Sequence, residues 1–284
     1  IDLDAEAVRA AEALVPLAAE QGTRLSLVQA DVLRDAVDLT RLASDNAIPV
    51  VIGNPPWSVA RAVATPRMQA LLEDFRRDEQ GQRLPERKLG VLSDAYVRFI
   101  RASTELARAA RTSAVLGLVT NSSFLDGPVH RGMRGALCAW FDDIDVIDLG
   151  GNALLARVER GARHRDDNVF GVRTAATITL LGRGAGHVDS SPDEPRRQVA
   201  RVRHARVFGD LRTKLEVLGS TAPAQLEYVA LSPTPPLLRF VPSRSDSRST
   251  RYASFSSLAE IMPFHREGVQ TNRDALVVDV DRSR

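Results

Sequence analysis

The sequence predicts a doubly wound α/β fold, in which a parallel sheet carries helices on both faces. Three observations predict it. Short apolar runs such as Ile48 to Gly53 (IPVVIG) stop abruptly at turn residues, as buried parallel strands do. Stretches with helical periodicity alternate with these runs. Polar residues suited to chemistry fall just past the ends of the runs, where open α/β sheets bind their ligands.

Taken in order, Asp4 to Ala19 is rich in Ala, Glu, Val and Leu at helical spacing, and Asp4 can cap its N-terminus. Arg24 to Gln29 (RLSLVQ) alternates like a strand and is followed by Ala30-Asp31. Ile48 to Gly53 is the next strand and ends at Asn54-Pro55-Pro56. Ser58 to Leu89 is polar and charged; it reads as a loop-like insertion beside a site, with one helix around Met68 to Arg77. Ser93 to Arg111 is a long helix with Tyr96, Phe99, Ile100 and Leu106 on one face. Strands are expected over Ser113 to Thr120, Asp145 to Leu149 and Thr174 to Leu181, with a helix over Val129 to Trp140 and a charged, mobile loop over Gly150 to Asp167. Beyond Gly182 the texture changes. Gly184 to Pro195 is a turn region, Val199 to Val207 alternates with arginines, Leu211 to Leu218 is a short helix, and Pro233 to Ser249 reads as a linker. The expected organisation is a catalytic domain over 1–183 and an extension over 184–284.

The bulk composition bounds the function. With 284 residues, 44% hydrophobic and 26% charged, the chain can bury a core and does not have the composition of a disordered protein. No apolar run approaches the roughly 18–20 residues that span a bilayer, so no membrane role is expected. The start, Ile1-Asp2-Leu3-Asp4, resembles no secretory signal and reads as a boundary inside a domain. Cys138 is the only cysteine, so there is neither a disulfide framework nor a cysteine zinc site, and a cytoplasmic location is expected. The histidines, His130, His164, His187, His204 and His265, lack metal-ligand spacing, and no metal is expected. The formal charge is only +2, but almost every basic residue is Arg; Lys88 and Lys214 are the only lysines. That bias fits either nucleic-acid contact or genomic base composition. Arg61, Arg67, Arg131 and Arg134 either meet phosphates beside a site or serve as solvated surface groups.

The strongest chemical signal is Val50-Val51-Ile52-Gly53-Asn54-Pro55-Pro56-Trp57. A strand delivers an Asn, two prolines and an aromatic at its C-terminal end. The prolines fix φ and stiffen the corner, leaving carbonyls free to accept. With the Asn side-chain oxygen they form two rigid acceptors side by side, which can take both hydrogens of an NH₂ group. An aromatic next to them can stack on the heterocycle that carries the amine. Two acids fall at the ends of the preceding strands. Asp2 is either an acceptor for ribose hydroxyls or a helix N-cap. Asp31 is either an acceptor for an adenine amino group or a cap or surface acid.

In this order and spacing the chain resembles the amino-methyltransferase class of S-adenosylmethionine-dependent enzymes. Further segments narrow the resemblance: Thr120-Asn121-Ser122-Ser123-Phe124-Leu125-Asp126-Gly127, Arg131-Gly132-Met133-Arg134, Asp148-Leu149-Gly150-Gly151-Asn152, Asp167-Asn168-Val169-Phe170 and Gly268-Val269-Gln270-Thr271-Asn272-Arg273-Asp274. They are similar to the adenine-specific (N6) DNA methyltransferase domain of large single-chain restriction–modification enzymes, of the type ISP or type IIG kind, over nearly the whole chain. The resemblance implies a Rossmann-like sheet and S-adenosylmethionine as cofactor. Asp2 and Leu3 would hold the cofactor's ribose and adenine face, Asp31 and Val32 its adenine edge. Asn54, Pro55, Pro56 and Trp57 would be the catalytic motif, and Trp57 and Phe170 would stack on a flipped adenine of double-stranded DNA. A core Phe before a strand is the other reading of Phe170.

One departure concerns the family's first strand and Gly-rich cofactor loop, which would precede Asp2. The sheet is therefore expected to be incomplete and N-terminally truncated, and the isolated chain to bind cofactor poorly. Target-recognition, nuclease and helicase parts would belong to the same parent polypeptide. Two rivals remain open: a methyltransferase acting on protein glutamine amides or on RNA, and a non-catalytic DNA-binding remnant.

Overall fold

The structure is a computed structural model, and it describes residues 47–57, 64–86, 88–152, 166–189, 200–242, 255–256 and 261–262. The expected helix over Asp4 to Ala19 and strand over Arg24 to Gln29 lie outside the described residues. The chain divides into two compact units, 1–242 and 243–284.

The first unit is a mixed α/β structure built on a six-stranded sheet. In chain order the strands are β1 (Val50–Gly53), β2 (Ala114–Asn121), β3 (Asp143–Gly150), β4 (Ala176–Arg183), β5 (Arg201–Arg206) and β6 (Val229–Leu231). Across the sheet they run β1-β2-β4-β3-β5-β6. β1 is parallel to β2, and β3 to β5. β4 is antiparallel to both β2 and β3, and β6 is antiparallel to β5. Hence β1, β2, β3 and β5 all point one way, and their C-terminal ends share an edge with the start of β4. The sheet runs on past residue 183: β5 pairs along β3 from Asp143↔Arg201 to Asp148↔Arg206. The alternating arginines expected here do lie on a strand. Arg201 and Arg203 pair with Asp143 and Asp145 across it.

The helices are α1 (Pro66–Leu72), α2 (Ala95–Ala109), α3 (Arg131–Trp140) and α4 (Leu211–Ser220). Thr65 caps α1 by accepting from the Met68 N–H at 3.3 Å, with Pro66 at the first helical position, where its missing N–H costs nothing. Asp210 caps α4 in the same way, accepting from Thr213 at 2.8 Å.

Alternation along the strands separates two apolar clusters. Leu116, Leu118, Ile144, Val146, Leu181 and Val202 share the main core with α2 and α3. Ile147, Leu149, Ala176 and Val207 form a smaller cluster with Val217 and Leu218 of α4 and with Trp57 and Val169. Because neighbouring residues of β3 (Val146 and Ile147) point to opposite faces, the clusters lie on opposite sides of the sheet. This is the predicted layering.

The segment before α2 carries the helix expected around Met68 to Arg77, as α1 followed by a short 3₁₀ turn over Glu73–Arg76, and otherwise differs from expectation. Instead of a loop-like insertion, its apolar residues Met68, Leu72, Phe75, Leu84 and Leu92 are all nearly or fully buried, most of them in the main core. The physical reason is a few well-spaced apolar anchors within a charged sequence; the charges turn outward or pair. Arg101 of α2 is 1% exposed and satisfies three partners at once: the Leu71 carbonyl at 2.9 Å, Asp74 at 2.5 Å and Glu105 at 2.5 Å. Its guanidinium also lies 4.8 Å from the Trp140 ring centroid, so one cation joins α1, α2 and α3.

Gly132 marks the tightest junction in this layer. A β-carbon there would come within 2.5 Å of both the Phe75 and the Arg77 carbonyl oxygens. Ala in place of Gly favours a helix by about 1 kcal/mol. Overpacking against backbone costs about 1–3 kcal/mol. We therefore expect Gly132→Ala to lower the thermal midpoint of the full-length protein despite its better helix propensity, a result that a melting curve checks directly.

Candidate functional site

The shared edge of the sheet gathers polar and aromatic groups from five chain segments. Asn54-Pro55-Pro56-Trp57 follows β1. Asn121-Ser122-Ser123 closes β2. Gly150-Gly151 ends β3, Val207-Phe208-Gly209 follows β5, and the turn from Asp166 to Thr174 feeds β4.

At the first of these, Asn54 and Pro56 are exposed while Pro55 between them is buried, so the corner turns outward on an anchored pivot. Gly53 lies against the Phe99 side chain just before it. The Phe99 ring lies where a β-carbon of residue 53 would go, 2.8 Å away. Trp57 folds back on the smaller apolar cluster, and its indole N–H donates a long 3.4 Å bond to the Val119 carbonyl of the neighbouring strand. Beside it, the Asn121 carboxamide accepts from both the backbone N–H and the hydroxyl of Ser123, at 2.7 and 2.6 Å. That fixes the turn leaving β2.

The structure brings Phe170 to Trp57. Phe170 is 46% exposed, which removes the reading of it as a core residue. The two ring centroids lie 5.0 Å apart with planes at 84°, an edge-to-face pair. A base held between two parallel rings needs about 7 Å between them, twice the contact distance of carbon atoms. The two-sided stack that the resemblance implies is therefore not preformed: the rings touch each other edge to face.

The Phe170 turn is tightly specified. Asn168 donates to the Gly151 and Thr174 carbonyls at 3.2 and 2.7 Å, and its oxygen accepts from the N–H groups of Phe170 and Val172 at 2.9 and 3.2 Å. Glycines 150 and 151 make room for it. Both have positive φ (58° and 77°), and a β-carbon on them would collide with Asp166 and with the Asn168 backbone. Asp166 accepts from Gly151 N–H at 3.1 Å and pairs with Lys214 at 2.5 Å. Burial alone would raise its pKa; the Lys214 ammonium, the Gly151 amide and the Gly209 amide outweigh burial and hold the carboxyl below its usual range. The charged loop expected over Gly150 to Asp167 is thus anchored at both described ends; residues 153–165 lie outside the described residues.

Two arginines singled out in the sequence are held by partners within the protein. Arg134 is fully buried and donates to the carbonyls of Phe124 (2.5 Å), Gly127 (2.9 Å), Leu238 (2.8 Å) and Leu237. Burial pushes its pKa down to about 10. Arg131 pairs with Glu86 at 2.7 Å. A guanidinium looks the same in sequence whether it faces solvent or carbonyls, so only the fold distinguishes them. Arg67 is exposed and Arg61 lies outside the described residues. Cys138 is buried in α3, with its thiol pushed up to about 12 by burial, and is no nucleophile. Asp2, Leu3, Asp31 and Val32 all lie outside the described residues. Sequence reading missed Lys214 and Asn168 as organising residues; the rarity of lysine in the chain was the available signal for the first.

His130 supplies a pH handle beside Arg134. Its Nε2 is 3.0 Å from the Tyr96 hydroxyl, and burial, aided by the Arg134 charge, pushes its pKa down to about 4. An unfolded His binds its proton near 6.5. Between those values the unfolded state holds the extra proton, so the stabilisation is complete above pH 6.5 and is lost as pH falls toward 4. The shift corresponds to on the order of 3 kcal/mol. We expect His130→Gln to flatten the fall in unfolding free energy between pH 6.5 and 4, measured by denaturant titration at each pH.

Solved structures similar to this chain include three bound to DNA or to a DNA mimic. One is a DrdV–DNA complex determined by cryo-electron microscopy, 25% identical, covering 66% of this chain and 17% of that one with a TM-score of 0.50. Another is the ATP-dependent Type ISP restriction–modification enzyme LlaBIII bound to DNA, 23% identical, with 72% and 13% covered and a TM-score of 0.51. The third is a nuclease-deletion mutant of the Type ISP restriction–modification enzyme LlaGI in complex with a DNA substrate mimic, 20% identical, with 66% and 17% covered and a TM-score of 0.50. The chain therefore shares a fold with restriction–modification enzymes, and it spans only 13–17% of the length of these chains. No protein-family model matches it, and no curated protein does.

Proposed function

We propose that this chain is part of a DNA methyltransferase of a restriction–modification system, and that it helps transfer a methyl group from S-adenosylmethionine to the N6 amino group of an adenine flipped out of double-stranded DNA. The single observation that carries the reading is the meeting of Trp57 and Phe170 beside the outward-turned Asn54 corner. The shared fold with DNA-bound Type ISP enzymes supports it. Asn54-Pro55-Pro56-Trp57 and the Phe170 turn come from segments more than a hundred residues apart, and they converge on one edge of the sheet.

The acceptor side fits an amine substrate. Asn54 is exposed and stands on a buried proline, so its carboxamide oxygen and the Pro55 carbonyl form a stiff pair of acceptors. They take the two amino hydrogens, turn the nitrogen lone pair outward and stabilise the positive charge that develops on it. Trp57 stacks on the base, a contact worth about 1–3 kcal/mol, which offsets the few kcal/mol spent on extrusion. Phe170 gives up its edge contact with Trp57 to close on the base from the other side.

Asp2 and Leu3 would hold the cofactor's ribose and adenine face, and Asp31 and Val32 its adenine edge. The cofactor, when bound, supplies a methyl group activated on a sulfonium. No covalent enzyme intermediate and no metal is invoked. Nuclease or helicase parts in a longer parent polypeptide, and a cytoplasmic location, belong to the same reading. Among the described residues no helix is long and apolar enough to cross a membrane.

The test is methyl transfer by the full-length protein to duplex DNA, with RNA and protein as competing substrates, followed by nucleoside analysis. We expect N6-methyladenine in the DNA. Methyl groups found on protein amides or on RNA would move the assignment to the neighbouring class of enzyme, and binding without transfer would favour a non-catalytic remnant.

Two substitutions separate the roles. Asn54→Ala should lower kcat by about 10²-fold or more while cofactor binding survives, as loss of a charge-stabilising acceptor does. Asp2→Ala should instead raise the cofactor concentration needed. Turnover near normal in Asn54→Ala would remove the assigned role.

A further inference from the structure

The geometry points to Lys214 as a positioning residue for target-base binding: its buried ammonium sets the turn that presents Phe170 to Trp57. The inference rests on the function proposed above and assigns the control of the aromatic pair to a residue on α4, which touches neither ring.

Lys214 is fully buried, in a chain whose basic residues are almost all arginine. An ammonium has three donors and no acceptor. Here all three are used: the Leu149 carbonyl at 2.5 Å, the Asp167 carbonyl at 2.6 Å and Asp166 Oδ1 at 2.5 Å. A buried charge without such partners is strongly unfavourable, so the cation forces these oxygens to converge. They belong to two different segments. Leu149 ends β3, and Asp166-Asp167 opens the turn that contains Phe170.

From there the constraint passes along the chain in short steps. Asp166 takes the Gly151 amide and the Arg206 guanidinium at 3.1 and 3.2 Å, and Asp167 donates its N–H to the Gly209 carbonyl at 3.0 Å. Asn168, next in sequence, spans from Gly151 to Thr174 and holds the Phe170 N–H. Phe170 then meets Trp57 at 5.0 Å. Every link between Lys214 and the ring pair is a hydrogen bond or a peptide unit. A compact ammonium suits a site with three oxygens about a single point, and the wide planar fork of Arg does not.

A merely structural role would be to fasten α4 to the sheet. That role predicts lower stability with unchanged kinetics, or kinetic losses independent of Phe170. The positioning role predicts coupling to Phe170. The experiment uses the full-length protein with Lys214→Met, Asp166→Asn, Phe170→Ala and the Lys214→Met/Phe170→Ala double variant. Two readouts are taken at a temperature where all are folded. The first is methylation of duplex DNA. We expect Lys214→Met to raise the KM for DNA about tenfold or more, with a smaller change in kcat and no change in cofactor affinity. Asp166→Asn should shift KM in the same direction, and the double variant should be no worse than Phe170→Ala alone.

The second readout is acrylamide quenching of Trp57, taken as the difference between each full-length variant and the same variant carrying Trp57→Phe, which needs no activity. Lys214→Met and Phe170→Ala should expose Trp57 to quencher to the same degree. If the wild type methylates no DNA, the function proposed above fails while quenching still decides the role of Lys214. If Lys214→Met does not fold, Asp166→Asn carries both readouts. Wild-type quenching together with wild-type DNA KM in the folded variants, or strictly additive effects with Phe170→Ala, would overturn the inference.

Discussion

Because β4 runs antiparallel between β2 and β3, its N-terminal end lies at the edge where those two strands finish. That reversal delivers the turn carrying Phe170 to the same edge as the Asn54 corner. A parallel strand in that place would present its C-terminal end there instead, and the Phe170 turn would lie at the far side of the sheet. The backbone of the edge is then committed. Ser122 N–H reaches the Ala175 carbonyl at 3.0 Å, Gly150 N–H reaches Asp148 at 2.9 Å, and Val207 N–H reaches the Asp148 carbonyl at 2.9 Å. These bonds tie the ends of β2, β3, β4 and β5 to one another.

Buried cations organise the surroundings of this edge, each in its own way. Arg134 collects carbonyl oxygens from the turn after β2 and from the Leu237-Leu238 segment. Arg101 pairs with two carboxylates and lies against Trp140. Lys214 joins β3, α4 and the Phe170 turn. Each charge is nearly or fully buried and is compensated locally. Removing one partner from such a set costs far more than the same change at the surface. Phe170, by contrast, is 46% exposed and meets Trp57 in an edge contact, so it is the least confined part of this edge.

Much of this was legible before the fold. The strands β1 to β4, the helices α1 to α4, and the presence of helices on both faces follow from apolar periodicity, since each element buries a stripe that its spacing reveals. The turn at Asn54 to Trp57 was legible because two prolines fix φ and end a strand. The pairing of Phe170 with Trp57 was anticipated from a resemblance, not from periodicity. Other features were not legible. The burial of Met68, Leu72 and Phe75 is hidden by the charged residues between them. The role of Arg134 is hidden because its partners are carbonyls, which every residue has. Nothing in the Thr174 to Leu181 run announces that β4 is reversed; direction is decided by the connection, not by the strand. The continuation of the sheet into β5 and β6 was masked by arginines that pair with the aspartates of β3.

The account stands on the Asn54 corner and the aromatic pair closing on one extruded base. The most direct measurement is a structure of the full-length protein with its target duplex and a non-reactive cofactor analogue. The account predicts an adenine outside the helix, its exocyclic nitrogen about 3 Å from both the Asn54 side-chain oxygen and the Pro55 carbonyl. It also predicts the base stacked on Trp57, with Phe170 moved away from its present edge contact. A duplex bound with every base stacked, or an extruded base lodged away from Asn54 with the Trp57–Phe170 contact intact, would contradict it.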